Sequence, residues 1–121
     1  HIRKSKAKKI CIDHHLGTQK KLYDLIISYT NYPATSQILY EFLIKEGKNI
    51  ITPFVATALY AGIMTDTGSF RYPRTNEKTF LICADLINKG ANPVYIYDKA
   101  YCNIAAGKVQ LLSRFINSFS F

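Results

Sequence analysis

The 121 residues are enough for one small domain with its own core, and 48% apolar with 20% charged residues is an ordinary globular composition. No stretch approaches the roughly 18 unbroken apolar residues of a membrane span, and the N-terminus lacks the apolar core of a signal peptide. Three cysteines, an odd number set in apolar segments, favour buried thiols in a reducing compartment over a disulfide framework. A cytoplasmic protein without a membrane partner is expected.

The formal net charge of +8 is concentrated near the N-terminus, where residues 1–21 carry seven Lys and Arg side chains against the single acid Asp13. Such a stretch is typical of a solvated surface, and the sharper alternative is attraction to phosphate groups. The chain begins at His1 and its only methionine is Met64, so we expect a fragment of a longer protein.

The first predicted element is a strand. Residues 8–12 include a short apolar run that ends in Asp13, His14 and His15, which is the pattern of a buried parallel strand opening into a polar loop.

Two helices are predicted next. Residues 34–46 carry apolar side chains at helical spacing, and Gly47 follows as a C-terminal cap. Thr52 and Pro53 form an N-cap and first-turn pair that begins the second helix, which ends at Asp66. This second helix is apolar on nearly every side, which predicts a position in the interior.

The remaining chain predicts further helices. An amphipathic helix covers about 76–89 and is closed by Gly90, and Asn92-Pro93 repeats the cap-plus-proline start. A last helix over about 105–119 has one apolar side.

One strand and several helices indicate an α/β domain with a parallel sheet, here helix-rich because the other strands are expected upstream of His1. Ligands of such sheets bind beyond the carboxyl ends of the strands, where residues 13–15 would project.

Two carboxylate-bearing segments are candidates for chemistry. The Asp13-His14-His15 cluster suits a metal or an anion, because neutral imidazole is a good ligand for manganese, iron or zinc and a neighbouring carboxylate fixes its tautomer. The competing interpretation is a polar loop with chance neighbours. Asp66 ends the most apolar helix and either binds a cation or caps its own turn.

Arg71 and Arg74 follow Asp66 closely and are interleaved with aromatic residues. Their guanidinium groups could hold a phosphate bidentately, although a generic exposed pair would need no explanation.

These segments resemble the DHH family of phosphoesterases. Residues 9–15 (KICIDHH) resemble its third motif, residues 34–43 (ATSQILYEFL) the helix that follows, and residues 62–70 (GIMTDTGSF) its fourth motif. The family's usual continuation follows through 84–91, and the similarity covers most of residues 8–115. The bacterial nano-RNase (oligoribonuclease) and pAp-phosphatase branch is the most similar.

The resemblance implies a role for each matched residue. His14 and Asp66 would be metal ligands, His15 would contact substrate phosphate, and Asp13 would support catalysis beside it. Arg71 is assigned to substrate binding from its position close to Asp66, and not from the resemblance. The implied cofactor is Mn²⁺, two ions in the complete enzyme, which activate a water for attack on phosphorus.

The resemblance also implies what is absent. The family's first two motifs, which supply the other ligands, and its smaller substrate-binding domain do not occur in the sequence. Residues 1–121 are therefore expected to be the C-terminal part of a DHH catalytic domain, ending in a helix (about 104–121) that leads to the second domain. With only two ligands, this fragment is expected to bind manganese weakly and to turn over little.

The expected substrate of the parent is short RNA or a 3′-phosphorylated adenosine nucleotide, and a homodimer of the full-length protein is compatible with the family. Four alternatives remain open. They are a cyclic-dinucleotide phosphodiesterase, a RecJ-type exonuclease, a pyrophosphatase or exopolyphosphatase, and a degenerate, non-catalytic nucleic-acid-binding domain.

Overall fold

The computed structural model describes residues 4–17, 20–47 and 50–119. Arg3 of the basic stretch and residues 120–121 of the predicted C-terminal segment lie outside these ranges. The described elements, in chain order, are strand β1 (Ile10–Asp13), a 3-10 turn (Lys20–Leu22), strand β2 (Leu25–Ser28), helices α1 (Thr35–Lys45), α2 (Pro53–Asp66), α3 (Glu77–Asn88) and α4 (Pro93–Tyr97), a π-helical turn (Asp98–Cys102) and helix α5 (Ala106–Ile116).

The two strands form a parallel sheet in which Ile10 pairs with Leu25 and Asp13 pairs with Ser28. The predicted strand is therefore confirmed, and the α/β class with it. Strand β2 was not predicted from the sequence, although it is apolar and contains the β-branched residues Ile26 and Ile27. The carboxyl ends of both strands lie together, so the loops after Asp13 and Ser28 meet at one edge of the sheet.

Helix α2 lies at the centre of the core. Thr52 accepts a hydrogen bond from the Val55 backbone N–H (3.3 Å), so the predicted cap begins this helix as expected. The buried apolar residues of the core come mainly from α2 and α3, and they are Ala34, Ile38, Ala56, Leu59, Tyr60, Ile63, Met64, Ile82, Cys83, Leu86, Ala91 and Ile96.

The interior position predicted for α2 is only partly right, because Phe54 in its first turn is 83% exposed. Helix α5 lies within the predicted last helix of about 105–119, and none of its residues is buried, so its apolar side faces solvent.

Helix α3 starts with a capping box in which Asn76 accepts from the Thr79 backbone and the Asn76 backbone donates to Thr79 Oγ1. Gly90 closes the segment with a φ of 105°, as predicted for a C-terminal cap. Throughout the described ranges, every helix falls short of the length and apolar character that crossing a membrane requires.

Candidate metal and phosphate site

His14 is the buried histidine at the end of β1, with 8% of its surface exposed. Its Nδ1 lies 3.2 Å from the backbone carbonyl oxygen of Tyr32. Because a carbonyl can only accept, Nδ1 must carry the proton, and Nε2 of the neutral ring then presents a lone pair. This is the arrangement by which proteins fix a histidine for metal binding.

Asp66, the last residue of α2, lies opposite that lone pair. Its Oδ2 is 3.4 Å from His14 Nε2, and its side chain is 38% exposed. The separation is within ion-pair range, but the geometry is not that of a hydrogen bond, and Nε2 is buried with no hydrogen-bond partner. Two acceptor atoms facing each other need a proton or a cation between them.

The turn after Asp66 is held by Thr67, which is buried. The Thr67 hydroxyl donates to the Ile63 carbonyl (2.7 Å) and accepts from the Phe70 backbone N–H (3.0 Å). Asp66 was open to the alternative interpretation of a turn cap. In the described chain no backbone N–H donates to the Asp66 carboxylate, so Thr67 caps the turn, and the Asp66 carboxylate lies within 3.4 Å of His14 Nε2.

The same turn adopts an unusual backbone conformation. Gly68, Ser69 and Phe70 all have positive φ, at 56°, 57° and 66°. For Ser and Phe this left-handed conformation is strained and needs support from its surroundings. A hydrogen bond from Ser69 N–H to the Met64 carbonyl (2.8 Å) supplies part of that support.

Asp13 holds the two histidines in place. Its Oδ1 accepts from the backbone N–H groups of His14 (2.8 Å) and His15 (3.2 Å), and from His15 Nδ1 at 2.8 Å. The His15 ring is 72% exposed, and its centroid lies 4.2 Å from that of His14. Because Nδ1–H of His15 donates to Asp13, Nε2 can donate to a phosphate oxygen only when it carries a second proton.

A cavity of about 210 Å³ opens beside His14 and Asp66. Its lining residues are His14, Pro33, Asp66, Thr67, Tyr72, Pro73, Arg74 and Thr75. Arg71, assigned to substrate binding from the sequence, is not among them, and its Nε donates to the Gly68 carbonyl (2.9 Å). Arg74 is the arginine that reaches the cavity. Both arginines were candidates from the sequence. The backbone path of the turn decides which of them lines the cavity.

The His14 and Asp66 pair fits one metal ion as two of its ligands. Ligands at about 2.1 Å from a common ion are roughly 3.0–3.5 Å apart, which matches the 3.4 Å separation. Within the described residues no group of three His, Cys, Asp or Glu side chains could hold an ion, so the pair is an incomplete ligand set.

Comparison with known proteins gives sequence relatives but no matching family model. The chain is 34% identical over 100 residues to the bifunctional oligoribonuclease and PAP phosphatase NrnA of Bacillus subtilis, covering 80% of this chain and 31% of that protein. It is 36% identical over 90 residues to the cyclic-di-AMP phosphodiesterase GdpP of the same organism, covering 72% of this chain and 14% of that protein. The chain thus spans less than a third of either relative.

The fold agrees with these relatives. An exopolyphosphatase-related protein from Bacteroides fragilis superposes with a TM-score of 0.81 at 26% identity, covering 98% of this chain and 35% of that one. Sequence and fold together therefore relate this chain to the DHH-type phosphoesterases, as an α/β segment of that fold.

Proposed function

We propose that this chain is part of a manganese-dependent phosphoesterase that hydrolyses short oligoribonucleotides or 3′-phosphorylated adenosine nucleotides. The observation that carries the proposal is the convergence of His14 Nε2 and Asp66 Oδ2 at 3.4 Å, with the other ring nitrogen of His14 held by the Tyr32 carbonyl. The identity of 34% to the oligoribonuclease and PAP phosphatase supports this substrate class. The same similarity supports membership of the nano-RNase branch.

The residues divide into two roles. His14 and Asp66 would hold the metal, which when bound makes a water nucleophilic and neutralises charge on phosphoryl oxygens. Asp13 orients both histidines through its carboxylate. Arg74, which lines the cavity, would bind phosphate oxygens there. His15 is not among the residues that line the cavity, and its exposed ring beside His14 would contact phosphate from the solvent side.

The two-ion site of a phosphoesterase needs more ligands than this pair supplies. We therefore expect residues 1–121 alone to bind manganese weakly and to have little turnover, with the remaining ligands coming from other parts of the full-length protein. A purified 1–121 chain that matched the full-length rate on a diribonucleotide would refute this expectation.

A cyclic-dinucleotide phosphodiesterase is the second candidate, because the identity to GdpP is as high as that to NrnA over a similar length. The fold similarity to an exopolyphosphatase-related protein extends the candidates to polyphosphate and pyrophosphate. RecJ-type exonuclease activity on longer single strands belongs to the same class of reaction.

A substrate panel on the full-length protein with Mn²⁺ separates these candidates. The panel comprises diribonucleotides, 3′-phosphoadenosine-5′-phosphate, cyclic di-AMP, single-stranded DNA and pyrophosphate. His14→Ala and Asp66→Ala should each lower hydrolysis by roughly 100-fold or more, since each removes a metal ligand. Asp98→Asn is the control, because Asp98 lines a different cavity.

Two results would count against the proposal. Full activity after His14→Ala or after chelation of metal would exclude the metal site. Salt-sensitive nucleic-acid binding that survives both treatments, without hydrolysis of any substrate, would favour the non-catalytic binding domain.

A further inference from the structure

Tyr32 contacts His14 through its backbone and helix α1 through its side chain. It lies in the segment between β2 and α1, and its carbonyl oxygen is the acceptor for His14 Nδ1 at 3.2 Å. Its hydroxyl donates to Glu41 Oε2 on α1 at 3.0 Å. The position of the carbonyl is therefore linked to the position of the phenol.

Glu41 is in turn paired with α3. Lys78 Nζ lies 2.8 Å from Glu41 Oε1, a close approach whose direction is poor for a hydrogen bond, so charge attraction dominates the contact. The same ammonium lies over the Tyr32 ring, 5.8 Å from its centroid. Three elements thus meet at Tyr32: the segment after β2, α1 and α3.

The hydroxyl of Tyr32 is held in its donor form. Burial raises the pKa of Tyr32 and the hydrogen bond to Glu41 raises it further, so the phenol stays protonated and keeps donating. The Tyr32 backbone N–H also donates to the Tyr29 carbonyl at 3.1 Å, so the phenol is a further contact that holds this segment. Its loss would loosen the peptide plane whose carbonyl faces the ring of His14.

We infer that Tyr32, held by Glu41 and Lys78, is a positioning residue that fixes the tautomer and orientation of His14. The inference rests on the proposed function for its metal-binding consequence, but the tautomer is a property of the chain itself. If the carbonyl moves, Nδ1 loses its acceptor and the proton can transfer to Nε2, where it blocks the lone pair.

The chain contains a matched control for this arrangement. Tyr40 on α1 donates its hydroxyl to Asp85 on α3 at 2.7 Å, and Lys89 pairs with the same carboxylate at 2.9 Å. This second Tyr–acid–Lys group also joins α1 to α3, but no hydrogen bond links it to His14. Tyr32→Phe and Tyr40→Phe therefore remove equivalent hydrogen bonds with different connections.

The test measures two quantities on the full-length protein for the wild type and both variants. The first is the His14 tautomer without metal, from ¹⁵N chemical shifts of the imidazole. The second is the affinity for Mn²⁺. Tyr32→Phe should raise the Nε2–H fraction and weaken Mn²⁺ binding about tenfold, the lower end of the effect of residues that orient a ligand. Tyr40→Phe should change neither.

If Tyr32→Phe does not fold, the milder variant Lys78→Met tests the same inference. Lys78 has a side chain that is 57% exposed, so Lys78→Met is a surface change, and it should shift both quantities in the same direction. Lys78→Arg should restore them, because it returns the positive charge to Glu41.

The outcomes separate the inference from the proposed function. If the wild-type ring already carries its proton on Nε2, or if the Tyr32 and Lys78 variants leave the tautomer unchanged, the inference is wrong. If His14→Ala leaves Mn²⁺ affinity unchanged, the proposed function fails, and the tautomer measurement still decides whether Tyr32 positions His14.

Discussion

His14 Nε2 and Asp66 Oδ2 lie 3.4 Å apart, although β1 and α2 that carry them are joined by a strand, a helix and their connecting segments. The imidazole is oriented by a backbone carbonyl and the carboxylate by the end of a helix whose turn is capped by Thr67. Each side chain is positioned by its own local contacts and not by the other side chain. Nε2 of His14 is therefore buried without a hydrogen-bond partner.

Arg74 should matter more than Arg71 for phosphate binding, because only Arg74 lines the cavity next to Asp66. We expect Arg74→Ala in the full-length protein to raise KM for the best substrate about tenfold or more, the loss of a charged hydrogen bond. Arg71 was the residue assigned from the sequence, and Arg71→Ala should change KM less than about twofold. Steady-state kinetics on both variants decides, and the reverse order would return the role to Arg71.

Gly62 allows α1 and α2 to approach closely. A Cβ at this position would overlap Ser36 Oγ and meet Ser36 Cβ at 3.0 Å. Gly62→Ala should therefore destabilise the chain by about 1–3 kcal/mol, despite the better helix propensity of alanine. Adding Ser36→Ala should recover part of the loss, as measured by urea denaturation.

The control for this prediction is Gly107→Ala in α5, where a Cβ would meet nothing within 4 Å. This change should be neutral or stabilise by up to about 1 kcal/mol. Equal destabilisation by both substitutions would mean that the α1–α2 contact is not the cause.

Asp85 should contribute stability that depends on pH. Burial opposes its ionisation, but hydrogen bonds from Lys89 and Tyr40 outweigh burial and lower its pKa below the ordinary value of 3.8. A carboxylate with a lowered folded-state pKa stabilises the fold above its unfolded-state pKa, and the contribution disappears as pH falls through the folded-state value.

The difference in unfolding free energy between the wild type and Asp85→Asn should therefore be constant near neutral pH and shrink below about pH 4. Urea denaturation of both proteins at several pH values measures it. A difference that stays unchanged down to about pH 2.5 would show that ionised Asp85 has no stabilising role.

The cysteines should differ in reactivity. Cys83 is buried in the core, and burial raises its pKa to about 11, whereas Cys102 is exposed. Iodoacetamide near neutral pH should modify Cys102 faster than Cys83 by more than about 100-fold, since Cys83 is both inaccessible and held as the thiol. Mass spectrometry over time checks the order, and Cys102→Ser should remove the fast phase.

Local signals predicted much of the fold. The predicted cap at Thr52, helix start near Asn76 and turn at Gly90 depend on contacts within a few residues, and the structure confirms all three. The capping box at Asn76 was not predicted. β2 is as short as β1, but it was missed because no cluster of an acid and histidines follows it as Asp13, His14 and His15 mark the end of β1. Its pairing with β1 is a tertiary contact that the local pattern does not reveal. The exposure of Cys102 was missed as well, because an apolar neighbourhood in sequence does not guarantee burial.

The site was only partly readable from the sequence. Asp13, His14, His15 and Asp66 could be identified from the sequence as motif residues. That His14 and Asp66 lie close together in the fold could not be established from their spacing alone. The choice between Arg71 and Arg74 depends on the left-handed turn at 68–70, where two non-glycine residues adopt positive φ. Tyr32 gave no signal at all, because it meets His14 through a backbone carbonyl and the partner of its hydroxyl, Glu41, lies on another element.

The most direct test of the central claim is Mn²⁺ binding to the full-length protein, measured by electron paramagnetic resonance for the wild type, His14→Ala, Asp66→Ala and the double variant. If both side chains bind one ion, each single change weakens binding by at least about tenfold, and the double variant loses much less than the sum of the two. Affinity that is unchanged in either single variant, or losses that add in full, would contradict a shared metal site.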